Sequence, residues 1–90
     1  MAENEKDSGG KPGGAVVLPP EVMELHAVRK MSLVRAWREH LGLTQDEVAQ
    51  RLGVSRPAYV QMETSKTRPR VITLKKIAAA LGVEWEQLRD

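Results

Sequence analysis

From residue 32 onward the apolar positions recur with a helical period, and the polar residues between them fall where helices start and stop. Ser32 stands as a cap before Leu33, Val34, Trp37 and Leu41, which share one helical face, and Gly42 supplies a left-handed exit. Thr44, with Glu47 three residues on, has the form of a capping box opening a second helix that Gly53 ends. Ser55 caps a third, with Arg56 and Pro57 in its first turn. After a polar loop from Thr64 to Arg70, Leu74, Ile77, Ala78 and Leu81 mark a fourth helix ending at Gly82, and Val83, Trp85 and Leu88 predict a short fifth. Five short helices over residues 32–89, with no strand alternation, predict an all-α domain.

The chain before residue 32 is patterned differently. Residues 1–14 carry Gly9, Gly10, Gly13 and Gly14 among charged and small residues, with nothing to bury against chain entropy, which predicts a disordered tail. Gly10-Lys11 is no phosphate loop, because Pro12 follows where Ser or Thr is needed. Residues 15–31 form a candidate extension: a short strand over Ala15–Leu18, then a helix over Glu21–Lys30 opened by Pro19-Pro20. Its apolar members Val22, Leu25 and Val28 make a stripe narrow enough to serve the core, a dimer contact or a partner surface.

Ninety residues suffice for one domain, and without cysteine there is neither disulfide nor thiolate metal site, which fits a reducing compartment. The apolar run near the start is too short for a signal peptide or a membrane span, so a cytoplasmic protein is expected. His26 and His40 lack further ligands, and no nucleophile motif is present; no metal, no cofactor, no small-molecule substrate and no enzymatic activity are expected. Charge changes the picture more. The formal +2 conceals a net of −1 over residues 1–30 and +6 over residues 51–76, where Arg51, Arg56, Lys66, Arg68, Arg70, Lys75 and Lys76 face only Glu63. Such a cluster is the electrostatic footprint of a phosphate-binding face, or a solvated basic surface.

The stretch 45–64 meets the requirements of two helices joined steeply by a short turn. Ala49 is small where the helices cross, Gly53 permits a positive φ, and Val48, Leu52, Val54, Tyr59 and Met62 point inward, leaving Arg56, Pro57, Val60 and Gln61 outward. Thr44–Glu63, TQDEVAQRLGVSRPAYVQME, preceded by WREHLGL and followed by TLKKIAAALGV, resembles the helix-turn-helix of the Cro and phage-repressor type (Xre-like) regulators over residues 32–89. The resemblance implies a compact five-helix, lambda-repressor-like fold that binds double-stranded DNA. By position it implies base reading by Arg56, Pro57, Ala58 and Gln61. It implies phosphate contacts from Gln45, Ser55, Thr64, Lys66, Arg68 and Arg70, and an internal ion pair between Arg38 and Glu63. Physical chemistry agrees: an Arg at a recognition-helix start can donate twice to guanine, Pro57 and Ala58 suit a thymine methyl, and Gln61 suits adenine. Exposed amides at the two helix starts suit phosphate oxygens.

Two departures stand out. Thr64-Ser65 replaces the family's frequent Asn-Gly, and Arg70 replaces a Ser-like cap at a cost of about 1 kcal/mol. Trp37 and Trp85 read as core anchors, and Tyr59 as core with its hydroxyl at the rim. Within the family, WREHLGLTQ and LPPEV look most similar to small antitoxins paired with ribosome-dependent mRNA-cleaving toxins. The expected function is a homodimeric, sequence-specific autorepressor on a palindromic operator, the antitoxin of a toxin-antitoxin pair. The alternative is an inhibitor that grips its toxin through residues 15–31, with DNA binding secondary.

Overall fold

The computed structural model describes residues 17–65 and 69–89. Five α-helices follow one another there: α1 (Pro20–Ala27), α2 (Leu33–His40), α3 (Gln45–Leu52), α4 (Arg56–Thr64) and α5 (Val71–Leu81). A single 3-10 turn, Trp85–Leu88, closes the order, and no strand occurs among the described residues. The all-α five-helix architecture is therefore the one expected, with one exchange: the segment after Gly82 is only a 3-10 turn, and the fifth α-helix comes from the extension. The expected tail 1–14 lies outside the described residues, as do Lys66 and Arg68.

The helices start where side chains can satisfy their free amides. Ser32 Oγ accepts from the Arg35 amide at 3.1 Å, and Ser55 Oγ accepts from the Ala58 amide at 3.2 Å. Thr44 and Glu47 cap each other reciprocally, at 2.7 Å from the Thr44 amide to Glu47 Oε1 and 3.0 Å from the Glu47 amide to Thr44 Oγ1. These bonds hold the Glu47 carboxyl below the usual carboxylate range. Arg70 precedes α5 without a side-chain cap.

One core unites the helices. α2 contributes Leu33, Val34, Ala36 and Trp37, α3 Val48 and Ala49, α4 Tyr59, and α5 Leu74, Ile77, Ala78 and Leu81, with Leu88 closing the end. Trp37 spans the junction, its indole N–H donating to the Gln87 carbonyl at 3.1 Å. Val22 of α1 is fully buried in the same cluster, so the extension shares the core. No helix among the described residues is long and apolar enough to cross a membrane.

Several expectations are corrected. α1 stops at Ala27 rather than reaching Lys30: the Val28 and Arg29 amides both bond to the Glu24 carbonyl, and Lys30 turns the chain at φ +65°. Val28 therefore leaves the stripe and is 69% exposed. Leu41 also falls outside the core, because α2 ends at His40 and the chain turns before Leu41 completes the apolar face. Of the strand expected over Ala15–Leu18, residues 15 and 16 lie outside the described residues, and Val17 and Leu18 form no strand among them; the Val17 carbonyl accepts from Gln87 Nε2 and Leu18 packs on the core. Trp85 packs against the core as expected but is only half-buried, with Lys75 Nζ and the Arg89 guanidinium each 5.8 Å from a ring centroid.

Because Val22 is enclosed and neighbouring Met23 is 53% exposed, the two should respond differently to truncation. Val22→Ala is expected to cost about 2 kcal/mol in urea unfolding, and Met23→Ala less than about 0.5 kcal/mol. Equal effects would show that α1 is not part of the cooperative unit.

Candidate nucleic-acid interface

Only Gly53, Val54 and Ser55 separate α3 from α4. Gly53 takes φ +72°, a left-handed conformation costly for other residues, and the Val54 amide bonds back to the Ala49 carbonyl at 3.0 Å. Tyr59 and Glu63 project inward, while Arg56, Pro57, Ala58 and Gln61 are exposed. Pro57, which brings no amide N–H, stands at the second position of α4, and Ser55 caps the Ala58 amide.

Gln45, Arg56, Pro57, Val60, Gln61 and Thr64 line one shallow surface groove. Of the residues singled out for DNA contact, this groove gathers five: Gln45, Arg56, Pro57, Gln61 and Thr64. Ala58 is exposed on the same helix but does not line it, and Arg70 lies at the start of α5. Ser55 Oγ is engaged as a cap, and Thr64 Oγ1 donates to the Val60 carbonyl at 2.7 Å, so both hydroxyls already serve α4.

Two cations of the basic stretch 51–76 serve contacts of their own: Arg51 donates to the Ala80 carbonyl near the end of α5 at 2.9 Å, where a cation is favoured, and Lys75 lies over Trp85.

Behind the groove sits a buried polar network that sequence reasoning caught only in part. The Glu63 carboxylate accepts four hydrogen bonds: from Arg38 Nε at 2.5 Å and Nη2 at 3.2 Å, from the Tyr59 hydroxyl at 2.7 Å, and from Gln45 Nε2 at 2.9 Å. Arg38 Nη1 donates to the Leu43 carbonyl at 2.8 Å. Gln45 Oε1 in turn accepts from Arg56 Nη2 at 3.1 Å, so a continuous chain of hydrogen bonds runs from α2 to the exposed guanidinium. Both ends of the Gln45 amide are thus engaged within the protein. Gln45 and Glu63 are 18 residues apart, and no local pattern announces their contact.

Burial would raise the Glu63 carboxyl, but donors from Arg38, Gln45 and Tyr59 outweigh it and hold the group below the usual range. The same environment acts oppositely on Tyr59: burial, then its bond to the charged Glu63, pushes the phenol well above its ordinary value. Tyr59 is fully buried, so its hydroxyl is inside the network and not at the rim.

Residues 34–88 match the profile of the helix-turn-helix family HTH_3. The chain belongs to that family. It is 43% identical over 53 residues to an uncharacterized HTH-type transcriptional regulator of Methanothermobacter thermautotrophicus, covering 59% of this chain and 77% of that one. A second such regulator, y4dJ of Sinorhizobium fredii, is 43% identical over 51 residues, covering 57% of this chain and 66% of that one. Among solved structures, the hypothetical transcription factor NHTF from Neisseria superposes with a TM-score of 0.57 at 29% identity, over 83% of this chain and 85% of the other. An HTH_3 family transcriptional regulator from Vibrio cholerae gives 0.55 at 29% identity over 76% of this chain, which spans only 37% of that protein.

Removing either member of the Arg38–Glu63 pair leaves the other charge buried without its partner. Arg38→Ala and Glu63→Ala are each expected to cost about 3 to 5 kcal/mol, and the double variant much less than the sum. Because the Glu63 carboxyl titrates lower in the folded chain than in the unfolded one, its contribution is complete above the ordinary carboxylate range and disappears as pH falls through the folded value. In urea melts between about pH 7 and about pH 3, wild type should therefore lose stability in acid more steeply than Glu63→Gln. Parallel pH profiles, or additive single variants, would contradict this account.

Proposed function

We propose that the protein is a sequence-specific, double-stranded-DNA-binding transcriptional regulator that acts as a homodimer on a palindromic operator and represses its own operon. The observation that carries this reading is the exposed face of α4, where Arg56 heads a groove shared with Pro57 and Gln61 and is held by Gln45. A helix with a preorganised guanidinium at its start is suited to enter a major groove and donate twice to a guanine, while Gln61 meets adenine. The HTH-type regulators to which the chain is similar support the same reading. Arg56, Pro57, Ala58 and Gln61 read bases; Gln45, Ser55, Thr64, Lys66, Arg68 and Arg70 form the surrounding phosphate-contacting set. One recognition helix reads few base pairs, and two half-sites about one helical turn apart supply the missing discrimination.

A second reading is favoured by α1 and its C-cap, which expose Met23 and Val28 outside the segment that matches the family. Here the extension 15–31 grips a protein partner, the toxin of a toxin-antitoxin pair, and DNA binding autoregulates the operon. Titration with the product of an adjacent toxin-like gene tests it: Met23→Asp should abolish binding, and an unaffected complex would exclude this surface.

Selection of bound duplexes from a random pool should return a two-fold symmetric site. On that site Arg56→Ala is expected to cost about 1 to 3 kcal/mol and to relax preference at one base pair per half-site, with a smaller change on scrambled DNA. Equal loss on both duplexes would make Arg56 a phosphate clamp and overturn the proposed register.

A further inference from the structure

The groove on α4 reaches the last residue of the helix, Thr64. Thr64 lines a second concavity as well, bordered by His26, Lys30, Ser32, Arg35 and Ser65, so the two surface depressions meet at this residue. The far wall is the turn between α1 and α2, most of it before residue 34, where the family segment begins. That turn is anchored on α4: Ser32 Oγ donates to the Glu63 carbonyl at 2.8 Å while accepting from the Arg35 amide. Within the turn, the Met31 amide bonds to the Leu25 carbonyl at 3.1 Å, and His26 Nδ1 lies 2.7 Å from the Met31 carbonyl. Lys30 is the only non-glycine residue with positive φ among the described residues, and its side chain is exposed beside the concavity.

The lining charges favour an anion. Lys30 makes no ion pair among the described residues. Arg35 adds a second cation, partly spent on Glu39 at 2.8 Å but with its side chain 45% exposed. The acid in the wall is Glu63, and its carboxylate is turned inward and compensated by Arg38.

We propose that this concavity is a second contact site for the phosphate backbone of the same duplex, with Lys30 as its principal cation and Arg35 beside it. The inference rests on the DNA-binding reading of α4 and extends it. A duplex seated in the groove and running past Thr64 brings its backbone toward the α1–α2 turn, because Thr64 lines both concavities. B-DNA carries a charge about every 1.7 Å of its axis, so a cation at this rim meets a phosphate in any sequence. The extension thereby lengthens the footprint of the helix-turn-helix without adding base recognition.

The test uses the full chain with Lys30→Asn, which removes the charge while keeping a residue that tolerates the left-handed backbone. Affinity is measured on the selected duplex and on a scrambled one across a salt series, with thermal melts of each protein. The expected result is several-fold weaker binding on both duplexes alike, a salt slope shallower by about one per subunit, an unchanged ratio between duplexes, and recovery in Lys30→Arg. An unchanged slope on both duplexes overturns the proposal, as does a loss confined to the selected one. If wild type shows no preference between duplexes, sequence-specific reading fails while the Lys30→Asn slope still decides the backbone contact; absence of DNA binding overturns both.

Discussion

The buried carboxylate of Glu63 is the constraint around which this structure is arranged. A charge left only 2% exposed would be prohibitively costly without partners, and four hydrogen bonds from three residues on three helices supply them. Satisfying it fixes the angle at which α4 meets α2 and α3, because Arg38 must reach across from one side and Gln45 from the other. Ser32 reinforces the same junction through the Glu63 carbonyl, so side chain and backbone of one residue tie down the end of α4.

That constraint reaches the surface. Gln45 donates through its N–H to Glu63 and accepts at its carbonyl oxygen from Arg56, so the amide is oriented from within and the guanidinium from behind. A long, rotamer-rich side chain loses conformational freedom before it meets a ligand, which lowers the entropic cost of binding. The outward half of α4, by contrast, is held by its Ser55 cap and by the packing of Tyr59 beneath it. The helix that carries the exposed groove is thus also a wall of the core, which makes its orientation a matter of stability as much as of recognition.

The extension departs from the family segment in the same economical way. α1 contributes Val22 to the common core, packs Leu25 against it and leaves Met23 exposed. The turn that follows closes on the end of α4, where the helix-turn-helix groove runs out. The segment before the family match therefore shares the core through α1 and borders the exposed helix through the turn that follows.

Local chemistry in the chain was enough to determine where α2, α3 and α4 begin and the apolar residues that α5 buries. Ser32, the Thr44–Glu47 box and Ser55 satisfy amides within their own first turns, and helical period specifies which residues must face inward. The family pattern added the position of α4 and the pairing of Arg38 with Glu63. Tertiary structure alone decided that Gln45 joins this pair to Arg56, that Arg51 serves the end of α5, and that α1 stops at Ala27 with Val22 inside and Val28 outside. Each of these depends on the distance and rotation between helices, which capping and periodicity leave free and which packing around a buried charge then sets.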